Sequence, residues 1–288
     1  INMVNVFIFT GEINKIIDLL KNQIEFLTEH DEKTKLIQVY LDLGRLFSVK
    51  GNLKISRGWY RQAESISNNV NNPKILGKIY KNISMNYLFA SHFRLAISYF
   101  EKAQKFFQPE DYSDNSMITL LGVMAFAYAN IGFYKKTIEI LKQLESLVDK
   151  ENNPHLKYLG LHYKILTLSH IGEINQLDEK NLEKLFEGIE ERNKLALYSL
   201  SFSMGYYYYR KKKLKKAFDF INNSINLGEK IKMQAGILAP YLVLGEICIK
   251  LKKYNVVKNI FKKIKDQIKE NKDYFSYQWY LRLKALVL

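Results

Sequence analysis

The chain has 288 residues, of which 47% are hydrophobic and 25% charged, which is ordinary for a globular protein that buries a large core. The single cysteine, Cys248, excludes an intramolecular disulfide and a metal site built from cysteines, and no apolar run reaches the roughly 18 residues of a membrane span. The net charge of +15 keeps nucleic acid among the ligands to be considered, although a lysine-rich composition need not mean a ligand.

A turn residue recurs along the whole chain at a nearly constant interval. The segments that align with one another are 41–66, 81–106, 122–147, 201–226 and 242–267. The turn residues are Gly11, Gly51, Ser91, Gly132, Gly172, Lys212 and Lys252, at intervals of 40, 40, 41, 40, 40 and 40 residues. A fixed period of this size is typical of a stacked array of helical repeats. The sequence therefore predicts an all-α solenoid of antiparallel helix pairs, with six complete pairs and a partial unit at each end.

The pattern within each repeat predicts two helices joined at the turn. Before the turn, a small residue is followed three places later by an aromatic one; the pairs are Gly44 and Phe47, Ser84 and Tyr87, Ala125 and Tyr128, and Gly205 and Tyr208. After the turn, small, large and small residues recur at helical spacing; they are Ser56, Tyr60 and Ala63, then Ala96, Phe100 and Ala103. Small residues let two helices approach closely, and the large ones fill the space beside them. NNP motifs at 71–73 and 152–154 predict helix starts, with Asn as the cap and Pro in the first turn.

These small, aromatic and glycine positions resemble those of tetratricopeptide (TPR) repeats over nearly the whole chain. The period of about 40 residues departs from the common period of about 34. Longer repeats of this kind are similar to those in the sensor domains of MalT-like ATPase transcription regulators and in Gram-positive quorum-sensing peptide receptors. The segment KGNLKISRGWYRQAESI, residues 50–66, resembles one unit of the large MalT-type regulators. The resemblance implies one right-handed superhelical domain over residues 1–288, and a protein- or peptide-binding role in cytoplasmic signalling or transcription regulation.

Two parts of the chain depart from the regular pattern. In the unit that turns at Gly172, Lys164 stands where an apolar residue is expected, and Ile165 and Leu177 are large at the positions of close approach. The segment GEINQLDEKNLEKL that follows is polar, so we expect a distorted repeat there. By the repeat register, both chain ends lie inside the first helix of a unit, and neither carries a polar capping helix. We therefore expect the chain to be a segment of a longer protein.

The most basic stretch is GYYYYRKKKLKKAF, residues 205–218. The register makes RKKKLKK mainly the turn between two helices, with Tyr208 as a core aromatic residue and Ala217 as the small packing residue. Equivalent turns lie along one edge of the array, so the sequence predicts a basic stripe that is densest towards the C-terminal end. This basic edge consists of Lys211, Lys212, Lys213, Lys215, Lys216, Lys252 and Lys253. It is either a solvated edge or a surface that binds nucleic acid weakly and without sequence preference.

In stacked pairs of this type the first helix of each unit lines the concave face, and the register predicts which side chains point into that groove. The predicted groove residues are Arg45, Lys78, Lys81, Asn82, Phe89, Phe126, Asn130, His162, Tyr163, Tyr206, Tyr209 and Arg210, with Met85, His170, Phe202, Glu246 and Lys250 in the same rows. The two asparagines suit the backbone groups of an extended peptide, and the arginines and Lys78 suit its carboxylates. The sequence thus predicts a peptide or protein ligand with some acidic character. The alternative is that these aromatic side chains pack between neighbouring repeats.

Catalytic and metal-binding patterns are missing from the sequence. It has no GxxxxGK[ST], GxGxxG or HExxH motif, and no carboxylates are grouped for acid–base chemistry. His162 and His170 are eight residues apart, which is too far for both to bind one metal ion from a single helix. Cys248 occupies a core position, which indicates a buried structural thiol. We expect no catalytic residue, metal, cofactor or enzymatic activity and no membrane partner. Three roles stay open, namely an interaction module, a nucleic-acid contact surface and a scaffold without a switch, and so does the oligomeric state.

Overall fold

The computed structural model describes residues 13–67, 70, 72–106, 115–150, 152–231, 238–271 and 274–287. Over these residues the chain forms fourteen α-helices and one short 3₁₀ helix, with no strand, so the predicted all-α fold is confirmed. The helices are α1 (Ile13–Glu29), α2 (Lys33–Val49), α3 (Leu53–Ser67), α4 (Pro73–Phe89), α5 (Phe93–Gln104), α6 (Asn115–Asn130), α7 (Tyr134–Lys150), α8 (Pro154–Ile171), α9 (Glu179–Glu187), α10 (Lys194–Arg210), α11 (Leu214–Lys230), α12 (Leu238–Lys250), α13 (Tyr254–Asn271) and α14 (Tyr274–Ala285). No described helix is long and apolar enough to cross a membrane.

Every predicted turn residue that the structure describes has a left-handed backbone conformation. The φ angles are 75° at Gly51, 57° at Ser91, 82° at Gly132, 91° at Gly172, 60° at Lys212 and 59° at Lys252, and Gly11 lies outside the described residues. At each turn the next residue donates its N–H to the carbonyl five residues earlier, which is the bond that closes a Schellman helix end. The donors and acceptors are Asn52 and Phe47, His92 and Tyr87, Phe133 and Tyr128, Glu173 and Leu168, Lys213 and Tyr208, and Lys253 and Cys248. The same device therefore ends the first helix of each repeat.

The small residues of the pattern are sites of close helix approach. A Cβ atom at Gly44 would lie 2.2 Å from the ring of Tyr60, and one at Gly205 would lie 2.6 Å from the side chain of Ile221. Tyr60 is 2% exposed and Ala63 is fully buried. The first and second helices of a pair therefore touch where the sequence places glycine opposite a large side chain, as predicted.

The helices form two layers that pack differently. The first helices, α2, α4, α6, α8, α10, α12 and α14, contact one another in sequence along the array, whereas the second helices other than the short α9 pack on first helices. Within the described part of the chain, no close packing joins consecutive second helices. Because the layer whose members touch one another is the more closely spaced one, we expect it on the inside of the curve, and its exposed side is called here the inner face.

The repeat that turns at Gly172 is distorted, as its sequence predicts. A 3₁₀ helix, Ile174–Gln176, follows the turn, and the second helix α9 has only nine residues. The carboxylate of Asp178 caps α9 by accepting the N–H groups of Lys180 and Asn181, at 3.1 and 3.3 Å. The short, polar helix α9 carries Glu179 and Glu183, which contact the next repeat.

Candidate ligand groove on the inner face

A row of aromatic and imidazole rings crosses three consecutive first helices on the inner face. Ring centroids are 5.5 Å apart between Phe126 and His170, 6.4 Å between His170 and Tyr206, and 6.2 Å between Tyr206 and Tyr209. Phe202 extends the row on α10, 6.5 Å from Tyr206. His162 follows on α8, 6.5 Å from Phe202. These six rings, named here the ring row, are all half-buried.

Both histidines of the ring row are neutral at pH 7. Burial lowers the pKa of His162 to about 4, and its Nδ1 lies 2.8 Å from the carbonyl oxygen of Ser199, so this nitrogen carries the proton. Burial, together with the nearby charge of Arg210, lowers the pKa of His170 to about 4. The two imidazoles therefore act as uncharged ring surfaces with one polar edge each.

Two cations lie beside the ring row without a carboxylate partner among the described residues. Arg210 is exposed, and its Nη1 donates to the carbonyl oxygen of His170 over 3.3 Å. Lys250 is exposed, and its Nζ lies 4.7 Å from the centroid of the Tyr209 ring. The inner face thus carries positive charge next to aromatic surface at its C-terminal end.

The nearest inner-face carboxylate, Glu246, is already fully engaged. It is 9% exposed and accepts hydrogen bonds from Trp279 Nε1 at 2.7 Å, from the hydroxyl of Tyr209 and from the guanidinium of Arg282. The sequence reasoning missed the two donors on α14, because α14 lies beyond the last turn that was recognised. Extending the 40-residue register by one unit would place Trp279 and Arg282 in the rows of predicted groove residues.

The N-terminal part of the predicted groove is more mixed. Arg45 contacts Asp42 at 3.7 Å, Lys78 is exposed, and Asn82 is half-buried. Lys81, Met85 and Phe89 are half-buried on α4. These residues lie on α2 and α4, three or more repeats from Tyr206, although α4 itself contacts α6, which carries Phe126 of the ring row.

Two predicted groove residues are largely occupied within the fold. The ring of Tyr163 lies against the backbone of Gly122, where an added Cβ would come within 2.1 Å of it, and burial raises the pKa of this tyrosine. Tyr163 therefore packs between α6 and α8, which fits the packing alternative. Asn130 Nδ2 donates to the carbonyl oxygen of Phe126 in its own helix over 2.8 Å, which leaves the side-chain oxygen for another donor.

The sequence also did not predict a buried polar cluster between α2, α3 and α4. Asn86 is 1% exposed and donates to Ser48 and Ser56 at 3.1 and 2.9 Å, while it accepts from Arg57 at 2.6 Å. The two serine hydroxyls lie 2.8 Å apart. An asparagine on a first helix can therefore make buried hydrogen bonds inside the fold. The residue type alone does not show that such an asparagine faces the groove.

Ion pairs engage half of the basic run in the turn at Lys212. Glu179 accepts from Lys211 at 2.8 Å and from Lys213 at 2.6 and 2.9 Å, while Glu183 accepts from Lys216 at 2.7 Å. Hydrogen bonds from Lys211 and Lys213 lower the pKa of Glu179 to about 2. Of the lysines of the basic edge, Lys212, Lys215, Lys252 and Lys253 are exposed and form no ion pair in the described part of the chain. Lys253 lies 3.9 Å over the ring of Phe218.

Metal and thiol chemistry find no support in the described residues. No three His, Cys, Asp or Glu side chains come close enough there to hold a metal ion. Cys248 is fully buried, and burial raises the pKa of its thiol to about 11, so the reactive thiolate is disfavoured.

Comparisons with known proteins give the fold. No family model matches the chain. No curated protein matches it either. Among solved structures, a Rap protein complexed with Competence and Sporulation Factor aligns with a TM-score of 0.61 and 11% identity, over 94% of this chain and 83% of that one. The chain has a TPR-like helical-repeat fold. BtubC (BKLC) from P. vanneervenii aligns over 88% of this chain and 90% of that one with 13% identity, but its TM-score of 0.38 is too low to support an argument.

Proposed function

We propose that the chain binds a peptide or an extended protein segment along its inner face. The observation that carries this proposal is the ring row, six half-buried rings on three consecutive first helices with two cations beside them. Half-buried aromatic surface provides apolar contact, and hydroxyl, imidazole and amide groups provide partners for a peptide backbone. The likeness to a Rap protein that was solved with Competence and Sporulation Factor supports the proposal.

The wider role that we propose is that of the sensor or scaffold part of a larger cytoplasmic signalling or transcription regulator. In an array of repeats, a ligand that contacts several first helices stabilises one curvature over others. A neighbouring domain can respond to such a change. We propose binding without enzymatic activity, because the ring row offers contact surface but no activated nucleophile or acid–base pair.

Nucleic-acid binding through the basic edge is the weaker candidate. Lys211, Lys213 and Lys216 are held by carboxylates of α9, and each engaged lysine would have to exchange that partner for a phosphate. The ion pairs therefore favour the inner face over the edge as the binding surface.

Peptide selection tests the proposal directly. The immobilised protein would be incubated with a synthetic pool of random heptapeptides, and the retained peptides identified by mass spectrometry. We expect related peptides to be retained by the wild type and by Tyr254→Ala, which removes an exposed tyrosine on α13, and to be lost by Tyr206→Ala. Equal retention by Tyr206→Ala, or no enrichment by any protein, would contradict the proposal.

A further inference from the structure

We infer that Arg210 and Lys250 form an anion subsite on the inner face, which receives a carboxylate of the bound peptide. This inference rests on the proposed function, because it assigns one position within that groove. The two residues occupy equivalent places in adjacent repeats, each two residues before a left-handed turn residue, at Lys212 and Lys252. Because α10 contacts α12, equivalent positions on the two helices lie in one row of the inner face.

Both cations lie against the same pair of stacked tyrosines. The guanidinium of Arg210 lies beside the hydroxyl of Tyr206, and the ammonium of Lys250 lies 4.7 Å from the centroid of the Tyr209 ring. The two rings are 6.2 Å apart, with an interplanar angle of 28°. The tyrosines thus bring two positive groups to one aromatic patch, where a ligand that contacts the rings also meets the charges.

Charge pairing separates these two cations from four neighbouring basic residues, and position separates them from Lys212, Lys215 and Lys252, which belong to the exposed basic edge. Lys211, Lys213 and Lys216 have the carboxylates of α9, and Arg282 has Glu246. The contacts of Arg210 are to neutral groups, namely the carbonyl oxygen of His170 and the hydroxyl of Tyr206. Arg210 and Lys250 are therefore two positive charges that have no carboxylate partner among the described residues. A peptide bound in the groove would reach both of them.

A peptide carboxylate has the chemistry that this pair would recognise. A guanidinium binds both oxygens of a carboxylate in plane, and an ammonium adds a second, more flexible donor. Two peptide groups carry a carboxylate, the free C-terminus and the side chain of Asp or Glu. Amidation distinguishes the two groups, because it removes the carboxylate of the C-terminus and leaves the side-chain carboxylates of Asp and Glu unchanged.

The test uses the heptapeptide pool with free C-termini, applied to three forms of the protein. The first is the wild type, and the second is Arg210→Gln with Lys250→Gln. The third, Lys212→Gln with Lys215→Gln, loses the same two charges from the exposed edge. We expect acidic peptides to be enriched by the wild type and by the edge variant. For a selected peptide, we expect affinity for the inner-face variant to fall roughly tenfold for each charge-assisted bond lost.

Amidated and Gln- or Asn-substituted versions of a selected peptide then identify which carboxylate is bound. Equal loss of affinity in the two double variants would show non-specific attraction and overturn the subsite. Enrichment of neutral peptides by all three forms would overturn the subsite and leave the proposed function standing, whereas no enrichment by any form would remove both. Two single variants, Arg210→Lys and Arg210→Gln, guard against a folding defect: Arg210→Lys keeps the charge and should retain more affinity than Arg210→Gln at the same melting temperature.

Discussion

Glu179 binds Lys213 through two hydrogen bonds of 2.6 and 2.9 Å, although the residues are 34 positions apart in the sequence. With Lys211 at 2.8 Å from the same carboxylate, this contact fastens the short helix α9 to the turn of the next repeat. Apolar contacts accompany the ion pairs, since Leu182 of α9 is 5% exposed and the ring of Phe186 lies 5.1 Å from that of Phe220 in the next repeat. The ion pairs therefore add a polar link to the apolar packing between α9 and the next repeat.

Removing this link should lower stability in a salt-dependent way. We expect Glu179→Gln with Glu183→Gln to lower the melting temperature by a few degrees in low salt, since a partly exposed ion-pair network contributes on the order of 1 kcal/mol. The difference from wild type should shrink at about 1 M salt, where the Debye length falls to roughly 3 Å. Glu190→Gln is the control, because Glu190 is 64% exposed and its ion pair is with Arg192, two residues away. A salt-independent difference would contradict an electrostatic link.

Nucleic-acid binding should be weak and strongly dependent on salt. With six to ten phosphate contacts, affinity should fall about 10³-fold or more between 50 and 200 mM salt. The measurement is fluorescence anisotropy with labelled double-stranded DNA at several salt concentrations. Submicromolar binding that persists in high salt, and that weakens when Lys211, Lys212 and Lys213 are changed to Glu, would reverse our ranking of the two surfaces.

Gly44→Ala should destabilise the N-terminal repeats. The new methyl group would lie 2.2 Å from the ring of Tyr60, which is 2% exposed and has little room to move, and overpacking of this kind costs about 1–3 kcal/mol. Gly58→Ala is the matched control, because no atom lies within 4 Å of a Cβ there. We expect that change to stabilise α3 by up to about 1 kcal/mol. Urea unfolding of both variants measures the contrast, and equal effects would mean that α2 and α3 are not in close contact at Gly44.

The turn residues and the small–large pattern were sufficient to predict the helix pairs. Gly, Ser and Lys differ in their propensity for the left-handed backbone conformation, but the constant interval identifies all of them as turn residues. Ser91 and Lys212 have this conformation, as their place in the register predicts. Gly44 and Gly205 could be assigned for a local reason, since the partner of each lies within the same helix pair.

Contacts between repeats could not be predicted in this way. The partners of Glu179 lie one repeat further on, and the distortion after Gly172 removes the register that would have located them. For the groove, the register predicts in which row of the inner face a residue lies, but it does not predict how deeply the side chain is buried. Tyr163 and Tyr206 are both predicted groove residues on consecutive first helices, but Tyr163 packs against Gly122 whereas Tyr206 lies in the ring row. The charge pairing of the basic edge, which decides which cations are available, depends on these same unpredicted contacts.

Acidic pH should destabilise the protein through His162 and His170. Both have a pKa of about 4 in the folded state, below the ordinary histidine value of 6.5, so the unfolded chain binds more protons between these two values. The stability they contribute is complete above about pH 6.5 and is lost as the pH falls towards 4. The loss should be on the order of 2 kcal/mol for each histidine by pH 5. Glu179, with a lowered pKa, acts in a separate window from about 4.5 down to 2.

Melting curves between pH 7.5 and 5 measure this effect. His162→Asn keeps a side-chain donor for the carbonyl of Ser199 but cannot titrate, so its melting temperature should fall less over this range than that of wild type. His30→Asn, which changes an exposed histidine, is the control and should follow the wild-type curve. If His162→Asn also follows that curve, His162 does not stay neutral in the folded protein.

Adjacent tyrosines on α10 should separate ligand contact from core packing. Tyr207 is fully buried, and we expect Tyr207→Ala to cost about 3–5 kcal/mol of stability, as for other large side chains removed from a core. Tyr206 is half-buried in the ring row, and Tyr206→Ala should reduce affinity for a selected peptide about tenfold or more with little change in melting temperature. Asn82→Ala and Asn130→Ala, made singly, extend the comparison to the predicted amide contacts. Calorimetric titration and thermal melting on the same samples decide the matter. A large loss of stability in Tyr206→Ala with unchanged affinity would place Tyr206 in the core. The proposal that the inner face is the binding surface would then be contradicted.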